Sequence, residues 1–534
     1  MRHLRALVLA GLMLLLTPGA YGGACLILPF ENQTKNAKLE WIGESFVEGL
    51  AERLASPHLH VVTRGERAAA FDMLGVPAVS ILSRASIIKL ADTLKADYVV
   101  IGEYSLDGDG QLRASAQVLS MDPPRLGARW EETGPLTDLL NVQNRVADSV
   151  GRGIAEHVPS GDPEPARLDA WENYIRGLMA PHRDQQIKFL QDAVRRDARL
   201  SRASLRLGKV YFESRDYAAA IPWLSKLHQG DRKYLEAQFL LGIAWFMLDD
   251  YAKAEAAFQT VSGELPLNEV YNNLAAAQSR LGKRAALDNF RLAADGDPND
   301  PDYQFNLGYW QWKAGQYASA TRRLRAALER RPNDTEARAL LVNALERSGG
   351  AAEAGREREA LARNAVARLQ DTSDAIFKDV ERLKRNYDES SFRQLQMALA
   401  SLTEESLSRL SGAEHARVHQ DHGRDLFRQQ NDDQALRELK ESLALGGPVA
   451  ETHLLLARIH ERHGRKEEAV REALSSLALE RSVDAHLLLA KIYLEQERLR
   501  EAREQAQAAS QLEPGNVAAH SVLKTVQMRS QSSQ

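Results

Sequence analysis

The sequence predicts a mainly α-helical fold, in which a small α/β domain precedes an α-solenoid of about eight or nine helix–turn–helix units. A small residue recurs at steps of 33 or 34 and marks one helix–helix contact in each unit. The first series is Gly208, Gly242, Ala275, Gly308 and Val342, and the second is Gly423, Ala457 and Ala490. Residues 25–158 lack this period and alternate short apolar runs with amphipathic stretches, which favours a layer of strands and helices.

Each repeat carries the same anchor residues. The unit that starts at Pro301 has Leu307, Gly308, Gly315, Tyr317, Ala320, Leu324, Ala327 and Pro332, and the preceding unit has Leu241, Gly242, Trp245, Tyr251, Ala254, Phe258 and Pro266. Glycine or alanine lets the first helix (helix A) approach the second (helix B), and proline ends helix B because it cannot continue a helix. These anchors resemble the tetratricopeptide repeat (TPR) family over roughly residues 165–345 and 412–530. The resemblance implies a solenoid whose concave surface binds protein partners.

The spacing divides the solenoid into two arrays. We predict array 1 over residues 169–348, with a degenerate first unit near Trp171, and array 2 over residues 412–530. Val342 and Gly423 are 81 residues apart, which is not a multiple of 34, so residues 349–411 are expected to be a helical interruption or degenerate repeats. Helical structure is expected from Ile376 to Tyr387, and both a functional hinge and an eroded repeat remain open.

The N-terminal domain, residues 25–158, contains several predicted strands and helices. We expect strands at Cys25–Phe30, Leu59–Thr63, Tyr98–Gly102 and Leu112–Leu119, and helices at Trp41–Leu54, Glu66–Leu74, Ile87–Leu94 and Leu139–Ile154. A short linker rich in proline and glycine, residues 159–168, separates this domain from array 1.

Four segments of this domain resemble the TolB N-terminal-like (also FlgO- and CsgG-like) periplasmic family. They are Leu28-Pro29-Phe30-Glu31-Asn32, Thr63-Arg64, Ala96-Asp97-Tyr98-Val99-Val100-Ile101-Gly102 and Gln143-Asn144-Arg145-Val146-Ala147. The resemblance implies a bacterial envelope protein with an adaptor or assembly role, and its motifs are structural, not catalytic. The β-propeller that follows this domain in TolB is not matched, so the role of TolB itself is not carried over.

The first 24 residues have the layout of a signal peptide. Arg2 and Arg5 precede an uncharged apolar run from Ala6 to Leu16, and small residues follow, with cleavage expected after Gly22 or Ala24. An uncleaved anchor helix is the alternative. Cys25 lies at the cleavage edge, so it is a candidate for lipidation or simply the first residue of a strand. We therefore expect a periplasmic or outer-membrane-associated protein.

Composition and motifs exclude several classes of function. The net charge of −4 gives no electrostatic footprint for nucleic acid, and a single cysteine excludes an internal disulfide. No metal, phosphate-binding or catalytic motif is present, so we predict no enzyme activity and no cofactor. His419, His453, His486 and His520 recur at steps of 34, 33 and 34 and are interpreted as packing residues, not metal ligands. A basic helix B with Arg322, Arg323 and Arg325 is interpreted as a solvated face.

The helix A positions that generally face the groove of a TPR array hold aromatic and amide side chains. The predicted partner-binding residues are Phe239, Ile243, Phe246, Asn272, Asn273, Arg280, Phe305, Asn306, Tyr309 and Trp312. In peptide-binding TPR proteins an asparagine at the position of Asn273 and Asn306 often binds the ligand backbone, because an amide both donates and accepts. Packing between units is the alternative role for the aromatic residues.

These observations favour an exported scaffold that binds envelope proteins or peptides through its groove. One alternative is a ligand-sensing or enzymatic α/β domain, for which Arg64, Glu66 and Glu103 are the candidates. Another is an outer-membrane or secretion assembly factor that uses the same groove. The sequence does not identify the partner or the oligomeric state.

Overall fold

The structure is a computed structural model that divides into two compact units, Met1–Leu399 and Ala400–Gln534. It describes residues 23–56, 58–75, 82–154, 166–229, 231–364, 377–387, 389, 392–393, 395–399, 411–428 and 432–532. Residues 1–22 of the predicted signal peptide and most of the predicted linker lie outside the described residues.

The first unit begins with an α/β domain built on one mixed sheet. Its strands are β1 (Ala24–Ile27), β2 (Glu31–Asn32), β3 (His60–Val61), β4 (Tyr98–Leu106), β5 (Gln111–Met121) and β6 (Pro124–Pro135). The order is β3-β1-β4-β5-β6, with β2 paired to β4. The β1–β3, β1–β4 and β2–β4 pairs are parallel, and the β4–β5 and β5–β6 pairs are antiparallel.

Four helices complete this domain: α1 (Trp41–Leu54), α2 (Arg64–Leu74), α3 (Arg84–Leu94) and α4 (Leu139–Gly153). They coincide with the predicted helices to within three residues at each end. Strand β6 was not predicted, because its side chains are mostly exposed and show no apolar alternation that would mark a strand.

Six helix pairs follow in the first unit. They are α5 (Leu168–Met179) with α6 (Arg183–Arg196), α7 (Ser201–Glu213) with α8 (Tyr217–Leu224), α9 (Tyr234–Met247) with α10 (Tyr251–Ser262), α11 (Asn268–Arg280) with α12 (Ala286–Gly296), α13 (Pro301–Lys313) with α14 (Tyr317–Arg330), and α15 (Thr335–Arg347) with α16 (Ala351–Asn364). Helix α16 therefore serves as helix B of a sixth pair, in a region for which we predict a helical interruption or degenerate repeats.

The second unit repeats the same arrangement. Its pairs are α17 (Gly412–Arg428) with α18 (Asp432–Gly446), α19 (Ala450–Arg462) with α20 (Lys466–Leu479), and α21 (Val483–Glu495) with α22 (Leu499–Leu512), followed by α23 (Val517–Ser532). The predicted mainly α fold with a small α/β domain is thus confirmed.

The recurrent small residue is explained by the contact between helices A and B. A β-carbon added at Gly242 would lie 2.6 Å from the ring of Phe258, and one added at Gly423 would lie 2.7 Å from Leu439. Atoms that close overlap, so the backbone of helix A can sit on helix B only where the side chain is absent or very small. This steric requirement gives the sequence its 34-residue period.

The α/β domain and the first helix pair share one hydrophobic core. Phe46 and Leu50 of α1 belong to the same buried cluster as Trp171 and Ile175 of α5. Ser45 Oγ accepts hydrogen bonds at 2.6 Å from both Trp171 Nε1 and Gln143 Nε2. The domain is therefore packed onto array 1 and does not hang from it by a linker alone.

The prediction of helix from Ile376 to Tyr387 is wrong for the part of this range that is described. Residues 377–387 contain a short turn at Phe377 and otherwise run without helical hydrogen bonding. Their contacts are with the helices A of array 1, which satisfy backbone groups that a helix would have paired internally. Among the described residues, no helix is both long and apolar enough to span a membrane.

Candidate functional site

Residues 377–387, called here the groove segment, lie across the helices A of four consecutive pairs. Phe377 contacts α13, Arg382 contacts α13 and the start of α15, Lys384 contacts α11 and α13, and Tyr387 contacts α9. The segment therefore runs opposite to the order of the repeats. We call the surface that it covers the helix-A groove, formed by α9, α11, α13 and α15.

Two asparagines of the helix-A groove hold the backbone of the groove segment. Asn306 donates from Nδ2 to the carbonyl of Arg382 at 2.7 Å, and its Oδ1 accepts from the N–H of Arg382 at 2.8 Å. Asn273 makes the same pair of bonds with Lys384, both at 2.8 Å. Asn272 adds a second donor to the Arg382 carbonyl at 2.8 Å. These contacts recognise an extended chain whatever its side chains are.

One edge of the groove is basic and holds an acidic side chain. The carboxylate of Glu381, whose side chain is fully buried, pairs with Arg280 Nε at 2.6 Å and Lys313 Nζ at 3.5 Å. Ser279 Oγ donates to the same carboxylate at 2.6 Å. Asp379, two residues earlier, lies in a bend with φ +62° and also pairs with Arg280 at 3.2 Å.

The opposite edge is acidic and holds two basic side chains. Arg382 makes a bidentate pair with Asp334, at 2.6 and 2.9 Å, and a further ion pair with Glu336 at 2.9 Å. Its guanidinium lies over the ring of Phe305, 3.5 Å from the centroid. Lys384 Nζ lies 2.6 Å from Asp300 and 2.8 Å from Asp302. Such partly buried, bidentate pairs fix the register of the segment as well as attract it.

Aromatic contacts anchor the two ends of the segment. The buried ring of Phe377 packs edge-on against Trp312 at 5.5 Å, and the Phe377 carbonyl accepts from the Tyr309 hydroxyl at 2.7 Å. At the other end, Tyr387 packs edge-on against Phe239 at 5.3 Å and donates its hydroxyl proton to Glu236. The segment is thus bound along its whole length.

The pKa values of groups at this site are shifted toward the protonation states that make these contacts. Burial alone would raise the pKa of Asp302, but hydrogen bonds from Arg331 and Lys384 outweigh burial and hold that pKa at about 2. Burial opposes the charge of Lys384 as well, yet Asp300 and Asp302 raise its pKa above the usual value. Burial raises the pKa of the Tyr387 phenol well above its ordinary value, and Glu236 adds to the effect. The ion pairs therefore persist throughout the neutral range.

Most of the predicted groove residues touch the groove segment. Direct contacts come from Phe239, Asn272, Asn273, Arg280, Phe305, Asn306, Tyr309 and Trp312. Ile243 and Phe246 are instead buried inside the array, and the ring of Phe246 lies under the guanidinium of Arg280 at 5.4 Å. Binding of a separate partner by these residues stays a prediction.

Sequence reasoning missed the carboxylates and the occupant of the groove. The four carboxylates of the acidic edge all lie at the starts of helices A: Asp300, Asp302, Asp334 and Glu336. Within the groove segment two acidic residues, Asp379 and Glu381, are followed by two basic ones, Arg382 and Lys384. The acidic helix starts were a usable signal, because they line up at the 34-residue spacing of Asp300 and Asp334. Their pairing with residues 46 to 84 positions later was not visible in any local pattern.

Beside the second half of the groove segment lies an open cleft of about 700 Å³. Glu269, Asp300 and Tyr303 form one wall, and residues 383–387 of the segment form the other. The segment therefore leaves part of the helix-A groove uncovered.

Cys25 is fully buried in β1, paired in parallel with Val61 and Tyr98. Burial raises the pKa of its thiol to about 12. A sulfur enclosed by the core leaves no path for an attached lipid, so the structure favours its role as a strand residue over lipidation.

The histidine ladder of the second unit joins helix A to helix B. His419 Nδ1 lies 2.6 Å from Glu438, His453 Nδ1 lies 2.7 Å from Glu472, and His486 Nδ1 lies 2.7 Å from Gln505, always 19 residues along. Within the described residues, no group of three or more histidine, cysteine, aspartate or glutamate side chains is placed to hold a metal ion. His520, the fourth predicted member, instead lies 2.8 Å from the carbonyl of Asn516 at the start of its own helix. The contacts of the other three histidines agree with a packing role for them.

The other candidates have structural partners. Arg64 pairs with Glu44 at 3.0 Å, Glu66 closes a capping box with Thr63 at the start of α2, and Glu103 pairs with Arg129. In the basic helix α14, Arg323 and Arg325 pair with Asp295 and Glu353. Among the contacts that the described residues make, none brings these residues together in one pocket.

Two segments match tetratricopeptide repeat models: residues 211–277 and residues 421–486. No curated protein matches the chain. Similar solved structures include the MamA protein (18% identity, 31% of this chain and 91% of that one, TM-score 0.29) and YrrB, described as a TPR protein with an unusual peptide-binding site (14%, 34% and 95%, TM-score 0.31). Another is the first TPR of Spaghetti (RPAP3) bound to the HSP90 peptide SRMEEVD (19%, 22% and 94%, TM-score 0.21).

Proposed function

We propose that this chain, a tetratricopeptide-repeat protein, is an exported scaffold that binds envelope proteins through extended peptide segments lying in the helix-A groove. The coarser part of this statement, a protein–protein interaction scaffold, is supported by the two repeat matches. The observation that carries the peptide mode is the paired hydrogen bonding of Asn273 and Asn306 to successive alternate residues of an extended backbone.

Backbone recognition gives affinity, and the two charged edges give specificity. A groove with carboxylates at the helix starts and Arg280 and Lys313 on the other side favours one orientation of a peptide that carries both acidic and basic side chains. Aromatic side chains at both ends supply apolar burial that charge pairs alone do not provide. The arrangement is suited to a partner that presents a flexible segment, not a folded surface.

Export is supported by the signal-like first residues and by the resemblance of residues 25–158 to periplasmic domains. The sheet favours cleavage after Gly22. The carbonyl of Gly23 accepts from the N–H of His60 at 2.9 Å, and the N–H of Ala24 donates to Asp97 at 2.7 Å. A mature chain that starts at Gly23 keeps both contacts, and the intact mass of the purified mature protein tests this start.

In-cell crosslinking tests the proposed function. A C-terminally tagged chain is compared with a variant carrying Asn273→Ala and Asn306→Ala, and captured proteins are identified by mass spectrometry. We expect specific envelope proteins that are reduced at least fivefold in the variant. The matched control is Asn289→Ala, since Asn289 lies on α12 and bonds to Gln278 outside the groove.

Asparagine variants are preferable to removal of Trp312 or Phe246, because both rings are packed inside the array and their loss would disturb the fold. Capture of the same proteins at the same level by the folded double variant would contradict binding through the helix-A groove.

A further inference from the structure

The groove segment makes the hydrogen bonds and ion pairs with the helix-A groove that a bound peptide would make. Its backbone is held by the asparagines, Glu381 is enclosed by the basic edge, and Arg382 and Lys384 are paired to the acidic edge. A partner peptide cannot occupy the same asparagines while these bonds are in place, since each amide has both of its groups committed.

We propose that the groove segment is a built-in competitor of the partner, and that the partner displaces it with an extended segment of the same charge order. This inference rests on the proposed function and deepens it by naming the chemistry of the ligand. The expected ligand has acidic side chains at two positions two residues apart, then basic side chains one and three residues later, as Asp379, Glu381, Arg382 and Lys384 have. An aromatic residue follows three positions after the second basic one, as Tyr387 does.

The charge order follows from the extended geometry. Successive side chains of such a chain point to opposite sides, so Glu381 meets the basic edge, and Arg382 and Lys384 meet the acidic edge. Asp379 reaches the basic edge from the bend that precedes this stretch. A peptide with reversed charges would place carboxylates against Asp302 and Asp334. Like charges at these partly buried positions would oppose its binding.

The factor by which the tethered segment weakens binding of a separate peptide can be estimated from its effective concentration. A ligand held in the same chain has an effective concentration of about 1 mM at its site. If the segment itself binds the groove with a Kd of about 10 µM, a separate peptide binds the wild-type chain about a hundredfold more weakly than it binds a free groove. The open cleft beside residues 383–387 gives an incoming peptide a first contact while the segment is still bound.

The test measures the fluorescence anisotropy of a labelled peptide with the sequence of Phe377–Tyr387, titrated with full-length protein. The variant called here the opened variant carries Glu381→Lys and Arg382→Glu. The two substitutions reverse the charges that the segment presents to the basic and acidic edges, and they leave the net charge unchanged. We expect it to bind the peptide at least thirtyfold more tightly than wild type does. Lys378→Ala, in the same segment but exposed, is the matched control and should behave as wild type.

Two further variants test where the peptide binds and whether the charge of Arg382 matters. Asn306→Ala in the opened variant should weaken peptide binding at least tenfold, which places the peptide on the asparagines. Arg382→Gln alone keeps an unbranched polar side chain and removes its charge, so it should give a smaller gain, about fivefold. It replaces the doubly substituted variant if that variant fails to fold. Circular dichroism checks folding of each variant.

Equal binding of the peptide by wild type and by the opened variant would overturn the competitor role while leaving the groove as a peptide site. Absence of binding by every folded variant would also overturn the inference, because the segment would then have no affinity of its own. The crosslinking experiment decides the proposed function separately in both cases.

Discussion

The side-chain amide of asparagine has the same donor and acceptor as a peptide bond, which is why Asn273 and Asn306 can each pair with one residue of an extended chain. The repeat period made these positions predictable, because it fixes which helix A residues face the groove. The sequence could not show that the chain itself supplies an occupant. That occupancy depends on contacts between residues about 80 to 110 positions apart.

Replacing Asn306 with alanine tests the backbone contacts. The change removes two hydrogen bonds to Arg382 and leaves its N–H and carbonyl with fewer partners, so we expect the free energy of unfolding to fall by about 1–3 kcal/mol. Urea denaturation followed by circular dichroism measures the change. Lys378→Ala serves as the control and should stay within about 0.5 kcal/mol of wild type; an equal effect of the two substitutions would contradict the contacts.

Acidification tests the acidic edge. The pKa of Asp302 in the folded protein is about 2, below its usual value, so its contribution is complete above about pH 4 and is lost as the pH falls through 2. Asp302→Asn lacks this contribution, which is on the order of 2 kcal/mol. We therefore expect the stability difference between wild type and this variant, measured by urea denaturation, to shrink between pH 4 and pH 2. A difference that stays constant with pH would show that the carboxylate is not paired.

Among the elements, the helices were the most predictable and the groove segment the least. Amphipathic spacing in α1 and small residues at the A–B contact are local patterns, and the helices lie close to where those patterns placed them. The charged stretch before Tyr387 carries residues with good helix propensity, so local reasoning favoured a helix. Ion pairs and backbone bonds to three helices A, α11, α13 and α15, outweigh that propensity.

The contact between α1 and α5 makes the α/β domain and array 1 one cooperative element. Ser45→Ala removes the acceptor for both Trp171 and Gln143, two buried donors, and should cost about 1–3 kcal/mol. We expect tryptophan fluorescence and helical circular dichroism to report one coincident transition of this unit, shifted to lower urea. Thr93→Ala, on the exposed side of α3, is the control and should shift it little. Separate transitions for the domain and the array would contradict a shared core.

For the whole molecule, composition and repeat spacing predicted two arrays, and the structure has two compact units. The boundary could not be predicted from the spacing, because α16 continues array 1 and the groove segment then folds back onto it. The first unit therefore extends beyond the last residue of the predicted array 1.

Matched substitutions at the A–B contact test the independence of the two units. Gly242→Val forces a clash with Phe258 in the first unit, and Gly423→Val forces one with Leu439 in the second. Each should destabilise its own unit by about 1–3 kcal/mol or more. In thermal denaturation followed by calorimetry, we expect each variant to lower one transition and leave the other in place. A shift of both transitions by either variant would mean that the units unfold together.

The most direct test of the account is residue-resolved hydrogen exchange at the backbone amides of Arg382 and Lys384 in the full-length protein at neutral pH. Each amide donates to an asparagine at 2.8 Å, so we predict exchange at least a hundredfold slower than in an unstructured peptide. We also predict loss of this protection in the variant with Asn273→Ala and Asn306→Ala, while the helices of array 1 stay protected. Exchange of both wild-type amides at the rate of a free chain would contradict an occupied groove.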